Sequence, residues 1–411
     1  MEDRSRLTPF SRRAFLATST ALAAAATTRA VDNPPLQRGF PSLRSRPLLT
    51  PAGEFRDVSR GTPRPHSLTG DALVSARLTE DAWRLEITTD PQPDPVIKET
   101  ASLGKALTVD AGNAIDYATL LALGEKHGVK FLKAMQCLNI PAPLGQGLWE
   151  GVPLRDVLAL CGPLRNVRRI YYWGFHNNDP KQLFRSSLSY SQAMETPPGE
   201  LPPFLAYRLN GEPISLLRGG PVRMVIPWAH GFKSIKWLQR IVLTNDHRAN
   251  DTYAEQNNDP ESPLKTAAYL DAPPAKINAG ESLQIGGSVI SGWSGLERVE
   301  YSLTRTDQPS QEREIWTEAR LAAPPTDWSG ILPEGTHPKD ILGFDRRTGQ
   351  PKTWPLRYSM VPWSAILTGL TVGKYSLRAR SVDLNGFAQP EPRAVQKSGR
   401  NQLEMREFEV V

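Results

Sequence analysis

One cysteine in a loop offers the most distinctive chemistry in this sequence. The chain of 411 residues has only two cysteines, and Cys137 lies between an apolar stretch at residues 129–132 and a proline-rich turn at residues 140–144. A thiolate at the end of a strand can face a pocket and act there as a soft metal ligand or a reactive thiol. Either role is favoured over a disulfide, and a structural thiol stays open. Cys161 closes a predicted helix, where we expect a buried structural thiol.

Two later segments combine glycine with positive charge. Arg223 lies in a Gly-Gly-Pro-Val-Arg run, and Lys236 lies in a His-Gly-Phe-Lys-Ser-Ile-Lys-Trp run. Guanidinium and ammonium groups, together with the backbone amides of a glycine-rich turn, are a common cradle for phosphate. The alternative is that both residues are solvated charges at the ends of strands.

Together with Cys137 and the run at residues 149–158, these segments resemble the sulfite oxidase family of molybdopterin enzymes. The resemblance implies a molybdenum-molybdopterin cofactor, with the thiolate of Cys137 binding the molybdenum directly. It also implies that Arg223, Ser234, Ile235 and Lys236 hold the molybdopterin. Arg218 stands where family members carry His or Asn, and we expect it to contact the cofactor as well.

Looser matches to the family extend the predicted site. Arg64 and His66 occupy the position of a loop that contains Asn or His in family members. A plain surface loop is an equal alternative. His176 falls in a loop near the family's pocket, and a hydrogen-bonded loop histidine is the alternative. Tyr253 is the counterpart of a catalytic tyrosine beside the metal, in a sequence context that matches the family poorly.

The run after the cysteine departs from the family pattern. Sulfite-oxidising members continue with a Gly-Asn-Arg-Arg-like run, whereas residues 138–142 here read Leu-Asn-Ile-Pro-Ala. A tetrahedral oxyanion is expected to require a cationic pocket. The loss of an arginine beside the metal therefore puts sulfite in doubt as the substrate, but leaves the cofactor expected.

The N-terminus has the pattern of an export signal. Residues 11–16 read Ser-Arg-Arg-Ala-Phe-Leu, and the following run at residues 17–26 is too short and too weakly apolar to be a membrane span. Paired arginines before such a run are typical of the twin-arginine route, so we expect a signal peptide at residues 1–30, cleavage near Ala30 and a periplasmic location. A disordered basic N-terminus is the alternative.

Composition places few limits on function. Lys and Arg number 49 against 43 Asp and Glu, which gives a net charge of +6, and 39% of the residues are hydrophobic. These are ordinary values for a soluble globular protein of two domains. No block of Lys and Arg is interleaved with aromatic residues, so the sequence does not predict a nucleic-acid surface.

The patterning predicts an α+β protein in three parts after the signal. Residues 31–70, rich in Pro and Arg, predict an extended arm that lies on the next domain. Residues 71–255 mix strands and short helices, as expected for a molybdopterin-binding domain. Residues 262–411 alternate polar and apolar residues in short strands, which predicts an immunoglobulin-like sandwich with an insertion at residues 321–363 and Trp293 as a core anchor.

The expected function is an exported molybdenum oxidoreductase that transfers an oxygen atom to or from a small molecule. The sequence has no Cys-x-x-Cys-His haem motif, so we expect no haem in this chain and electron exchange with a separate carrier such as a periplasmic cytochrome c. The resemblance also implies a homodimer formed through the sandwich. Two alternatives remain, a sulfoxide reductase and a non-enzymatic exported binding protein.

Overall fold

Two sheets and five short helices form the first half of the described chain. The computed structural model describes residues 47–138, 140–308, 314–390, 399 and 401–411. The predicted signal peptide and residues 31–46 of the predicted arm lie outside this part. Within it, no helix is both long enough and apolar enough to cross a membrane.

The helices are α1 (Asp71–Ser75), α2 (Tyr117–His127), α3 (Leu154–Ala159), α4 (Tyr190–Met194) and α5 (Thr252–Glu255). The strands of the first half are β1 (Arg84–Thr89), β2 (Ser102–Leu103), β3 (Ile115–Asp116), β4 (Val129–Met135), β5 (Gly145–Pro153), β6 (Leu164–Arg165), β7 (Arg169–Gly174), β8 (Ser186–Ser189), β9 (Phe204–Leu209), β10 (Glu212–Pro213), β11 (Arg223–Val225) and β12 (Leu238–Thr244).

The first sheet has the strand order β3-β1-β12-β7-β8, in which only the β1–β12 pair is parallel. The second sheet has the order β10-β9-β5-β4, and β11 pairs with β9. Strands β2 and β6 form a small separate pair. The loop after β4 and the loop after β11 are held close together by a hydrogen bond from the backbone N–H of Gly231 to the carbonyl of Gln136. These loops carry Cys137 and Lys236.

The predicted helices form, with one shift at an N-terminus. The apolar spacing at residues 115–123 predicts a helix, which begins at Tyr117 because Ile115 and Asp116 pair with β1 instead. The Asp116 side chain then caps the helix by accepting a hydrogen bond from the backbone N–H of Thr119. The apolar spacing at residues 154–160 also predicts a helix, and α3 covers all but the last of these residues. The thiol of Cys161 just beyond it is fully buried, as expected.

The C-terminal half is a β-sandwich. Its strands are β13 (Ala267–Leu270), β14 (Lys276–Ile277), β15 (Leu283–Ile290), β16 (Arg298–Arg305), β17 (Thr317–Leu321), β18 (Met360–Leu367), β19 (Gly373–Val382) and β20 (Glu404–Val410). They follow the order β13-β15-β18-β17-β16-β19-β20-β14 and enclose one apolar core. This confirms the predicted mixed α/β domain followed by an all-β sandwich, while the exact domain limits stay a prediction.

The expectation for Trp293 is wrong. Its side chain is 51% exposed, with its ring edge-on to Trp228, because it lies in a loop before β16 instead of on an inward-facing strand position. The fully buried tryptophan of the sandwich is Trp363 on β18. The Asn385-Gly386 pair predicts a hairpin turn, and a turn does form there, with Gly386 at a φ of +81°.

The insertion between β17 and β18 folds back onto the first half. Trp328, Ile341 and Phe344 form a buried cluster with Leu132 of β4 and Leu148 of β5. A second junction joins Ala134 to Tyr358, whose backbone carbonyl accepts a hydrogen bond from the Ala134 N–H. Strand β4, which leads to Cys137, is therefore supported by both halves of the molecule.

The described part of the arm, from residue 47, lies on the second sheet. The backbone N–H of Thr50 donates to the carbonyl of Gln146, and the N–H of Arg56 donates to the carbonyl of Leu144. Phe55 is buried against Trp149 in an edge-to-face contact. These contacts fix residues 55–61 at the mouth of a cavity.

Candidate functional site

A cavity of about 360 Å³ opens between the arm, the loop after β4, the end of β7, the loop after β11 and α5. Its charged lining residues, among those that the structure describes, are five cations and no carboxylate. They are Arg56, Arg60, Arg218, Arg223 and Lys236. A cavity of this charge favours anionic ligands.

Cys137 lies two residues beyond β4, half-buried, and lines this cavity. The Gln136 side chain holds the loop closed, because its amide nitrogen donates to the carbonyls of Cys137 at 3.0 Å and Ile140 at 2.7 Å. The backbone N–H of Gly231 donates to the carbonyl of Gln136 at 2.7 Å. The cysteine loop and the loop after β11 are thus tied together directly.

Arg223 forms a buried part of the cavity wall. Its two terminal nitrogens donate to the carbonyls of Arg218 at 2.8 Å and Ser234 at 2.7 Å. Its Nε is buried and has no hydrogen-bond partner among the described residues. Burial, with Arg218 as a second cause, lowers the pKa of Arg223 to about 9. A buried donor left unsatisfied beside a cationic cavity is what an anionic ligand would complete.

Lys236 connects the loop after β11 to the arm. Its Nζ donates to Asp57 Oδ1 at 2.9 Å, to Ser59 Oγ at 2.7 Å and to the carbonyl of Leu217 at 2.8 Å. Burial is the main cause that lowers the pKa of Lys236, to about 8, and Arg223 adds to it. Gly219 packs against this lysine at a φ of +98°, and a Cβ there would lie 2.4 Å from Lys236 Cγ.

Three further predicted cofactor contacts also line the cavity. Arg218 is almost fully buried and directs one terminal nitrogen to the carbonyl of Arg56 at 3.4 Å. Ser234 and Ile235 are buried, and the Ser234 hydroxyl accepts a hydrogen bond from the N–H of Ile226 at 3.1 Å. That bond fixes the turn that precedes Lys236.

Tyr253 and His176 reach the cavity from other elements. Tyr253 projects from α5, and its ring stacks on Phe232 with centroids 3.9 Å apart and planes 9° apart. Burial raises the pKa of Tyr253 and outweighs the opposing effect of the Arg60 charge, so the hydroxyl remains protonated at neutral pH. His176 is half-buried, with Nδ1 3.4 Å from the carbonyl oxygen of Gly174.

The structure does not bring Arg64 and His66 to the cavity lining. Pro65 starts a short 3-10 turn at Pro65–Ser67 and is itself the residue that lines the cavity. The side chains of Arg64 and His66, on either side of Pro65, therefore point away from the cavity. Arg64 has a side chain 61% exposed and pairs with Asp57 at 3.6 Å, and the His66 ring packs against Trp237 at 6.4 Å.

Sequence reasoning missed the contribution of the arm. Asp57 anchors Lys236, while Arg56 and Arg60 add cations to the lining. The arm shows no periodicity, and nothing in the sequence pairs residue 57 with residue 236. The only available signal for a role in the site was that Arg56 and Arg60 lie in a segment expected to lie on the next domain.

The residues present match a molybdopterin cofactor in charge and chemistry. Cys137 offers a soft thiolate for a metal. Arg223, Lys236 and Arg218 offer cations, one of them with an unsatisfied buried donor, for a phosphate and a pterin edge. The individual roles of these side chains stay predictions.

Comparison with known proteins agrees with this chemistry. Residues 104–252 match the family model described as "Oxidoreductase molybdopterin binding domain". The chain is 34% identical over 143 residues to "Nitrate reductase [NAD(P)H]" of Betula pendula, covering 34% of this chain and 15% of that protein. It is 27% identical over 321 residues to "Sulfite oxidase, mitochondrial" of Rattus norvegicus, covering 71% of this chain and 55% of that protein. The chain thus spans about half the length of the sulfite oxidase and a small part of the nitrate reductase.

A solved structure extends the similarity of fold over both halves of the chain. The sulfane dehydrogenase SoxCD from Paracoccus pantotrophus superposes with a TM-score of 0.55 at 17% sequence identity, over 85% of this chain and 86% of that one. Both the cofactor domain and the sandwich therefore have a counterpart of known architecture. The domain matched at residues 104–252, the similarity to sulfite oxidase and the shared fold support a molybdopterin oxidoreductase of the sulfite oxidase type, with molybdenum-molybdopterin as its cofactor.

Proposed function

We propose that this protein is an exported oxidoreductase that transfers an oxygen atom between water and a small molecule, with Cys137 as the protein ligand of the molybdenum. One observation carries the proposal. Cys137 opens onto the same cavity as the unsatisfied donor of Arg223 and the buried ammonium of Lys236. A soft metal ligand and an anion cradle thus share one enclosed space.

The chain's own residues have separate tasks in this scheme. Cys137 would hold the metal, and the cradle of Arg218, Arg223, Ser234, Ile235 and Lys236 would hold the pterin and its phosphate. When bound, the cofactor supplies a two-electron redox centre for oxygen-atom transfer. The protonated hydroxyl of Tyr253 can donate a hydrogen bond to a substrate oxygen, and the aromatic and apolar walls limit access of water.

Electron exchange with a separate carrier belongs to the same proposal. The sequence contains no haem-attachment motif, so a one-electron carrier such as a periplasmic cytochrome c would remove the electrons. Rapid mixing of substrate-reduced protein with cytochrome c measures this step directly. A carrier that stays oxidised would argue against this class of partner.

Export by the twin-arginine route rests on residues 11–16, which lie outside the described part of the chain. Replacing Arg12 and Arg13 by lysine should leave the protein in the cytoplasm, because the paired arginines are the signal that the route reads. Cell fractionation with an antibody to the chain tests it. Unchanged export of the double variant would contradict the proposed route.

Metal analysis of the purified protein tests the proposed chemistry first. The proposal requires about one molybdenum per chain. A metal-free protein from cells that make the cofactor would favour a binding protein instead.

The direction of turnover is tested next, and we expect the protein to oxidise its substrate. Efficient reduction of a sulfoxide by the same preparation would show that oxygen transfer runs in the opposite direction. The run at residues 227–236 is the feature that favours this reverse direction.

A further inference from the structure

The wall of the cavity near Cys137 is aromatic. Phe232 and Tyr253 stack with their centroids 3.9 Å apart, and Phe184 meets the Tyr253 ring edge-on at 5.8 Å with planes at 86°. All three rings line the cavity. Phe232 follows Gly231, whose backbone N–H donates to the carbonyl of Gln136 beside Cys137, so this wall stands next to the cysteine loop.

One cation of the cavity lining stands at the aromatic wall. The guanidinium carbon of Arg60 lies 4.3 Å from the centroid of the Phe184 ring, and its charge also acts on the Tyr253 hydroxyl. Arg60 forms no ion pair with the residues that the structure describes. In contrast, the Lys236 ammonium and two nitrogens of Arg223 already donate to protein acceptors. Arg56 also lines the cavity without an ion pair to a described residue, but Arg60 is the one that contacts the aromatic wall and is available there to a ligand.

These features select among possible substrates. An inorganic oxyanion would use the guanidinium but would make no apolar contact with the aromatic wall. A neutral sulfoxide would use the rings but leave the guanidinium unpaired. A molecule with a planar apolar body and one anionic group uses both, because aromatic contacts and a charge-assisted hydrogen bond then act together.

We propose that the substrate is an aromatic sulfinate, bound through its anionic group by Arg60 and through its ring by Phe184, Phe232 and Tyr253. This rests on the oxygen-transfer function proposed above. A sulfinate differs from sulfite in that a carbon group replaces one oxygen, so it keeps a sulfur lone pair but carries a single negative charge. One available arginine is sufficient for that charge.

The reaction balances with water and a one-electron carrier. The sulfinate and one water give the sulfonate, two protons and two electrons. A sulfur–oxygen bond forms, both O–H bonds of the water break, and the sulfur is oxidised by two electrons. Two molecules of a one-electron carrier, or of ferricyanide in an assay, are reduced for each sulfinate consumed.

Steady-state kinetics of the molybdenum-loaded protein with ferricyanide tests the substrate class. We expect kcat/KM for benzenesulfinate to exceed that for methanesulfinate and for sulfite by at least about tenfold, since only the first fills the aromatic wall. Phe184→Ala should reduce this preference by about tenfold. The exposed Phe387 of the sandwich provides the matched control Phe387→Ala, which should leave the preference unchanged.

Arg60→Gln separates the anion contact from the chemistry. It should lower kcat/KM for benzenesulfinate by about 10- to 100-fold, mainly through KM, with unchanged molybdenum content. Arg346→Gln, at an exposed position outside the cavity lining, is the matched control. Calorimetry with benzenesulfonate, the product, gives a readout that needs no turnover, and its binding should weaken in Arg60→Gln only.

The outcomes divide clearly. Two results would overturn the substrate assignment and leave the oxygen-transfer function in place. One is that sulfite or methanesulfinate is turned over as well as benzenesulfinate. The other is that Arg60→Gln behaves like Arg346→Gln in kinetics and calorimetry. A protein without molybdenum would instead remove the proposed function, and this assignment with it.

Discussion

Lys236 donates to the carboxylate of Asp57 at 2.9 Å, across 179 positions of sequence. The pair joins the arm to the loop that carries the cofactor cradle. The same arm supplies Arg56 and Arg60 to the cavity lining. The arm is therefore part of the site, and changes on it should alter function and not only solubility.

Replacing the thiol of Cys137 should abolish turnover with little effect on folding. Cys137→Ser puts a hard hydroxyl in place of a soft thiolate, and the half-buried loop position tolerates the exchange. Activity and thermal unfolding of both proteins measure the two effects. A serine variant that kept most of its activity would show that Cys137 is not the ligand.

Cys161→Ser is the matched control for that experiment. Its thiol is fully buried, and burial raises its pKa to about 11, so it is a neutral core group. We expect a loss of about 1–2 kcal/mol in unfolding free energy, because a hydroxyl is buried there, with turnover per molybdenum unchanged.

The cationic cradle should control cofactor content. Arg223→Ala removes the buried donor that has no protein partner, and Lys236→Ala removes an ammonium from the same wall. Each variant should retain less molybdopterin, measured by fluorescence of the oxidised pterin released on denaturation. Exposed residues outside the lining provide the controls Arg346→Ala and Lys339→Ala. Normal cofactor content in both cradle variants would contradict the assignment.

A pair of glycines separates backbone strain from displacement of Lys236. Gly219 and Gly112 both have positive φ, +98° and +69°, so alanine strains the backbone at either position by about 1 kcal/mol. At Gly219 the new Cβ would also lie 2.4 Å from Lys236 Cγ, whereas at Gly112 no atom lies within 4 Å. Gly219→Ala alone should lower cofactor content. Equal cofactor content in the two variants would show that the position of Lys236 does not matter.

The anchor of the arm should weaken in acid. Burial opposes ionisation of Asp57, but hydrogen bonds from Ser59 and Lys236 outweigh it and lower its pKa to about 2, below the ordinary 3.8. The folded protein therefore binds fewer protons than the unfolded chain between about pH 4 and pH 2, and it loses about 1–2 kcal/mol as pH falls through that window. Urea unfolding across this range should show a smaller loss for Asp57→Asn. The exposed Asp110→Asn should retain the full loss.

Sequence patterns predicted the elements better than the surroundings of the site. The alternating residues at 282–286 and 373–382 predict strands, and β15 and β19 form there because the alternation reflects which side chains are buried. Trp293 was misplaced because apolar character alone does not tell an inward strand position from a loop.

The core of the candidate site was predictable for a different reason. Cys137, Arg223 and Lys236 stand in short runs with a distinctive order of residues, and the structure places all three on one cavity. Asp57, Arg60 and Phe184 could not be found in this way. Their importance depends on tertiary contacts between distant segments, and no local spacing encodes such contacts.

The sandwich should pair two copies of the protein, as its resemblance to the family's dimerisation domain implies. Deletion of residues 262–411 cannot test this cleanly, because Leu264 and Ile290 form a buried cluster with Ala134 of the first half. Truncation would expose that cluster and should give insoluble protein whether or not a dimer exists. Light scattering on the full mature chain avoids the difficulty and should give twice the chain mass at micromolar concentration. A single-chain mass that persists on concentration would show that the sandwich only supports β4 and the cysteine loop within one molecule.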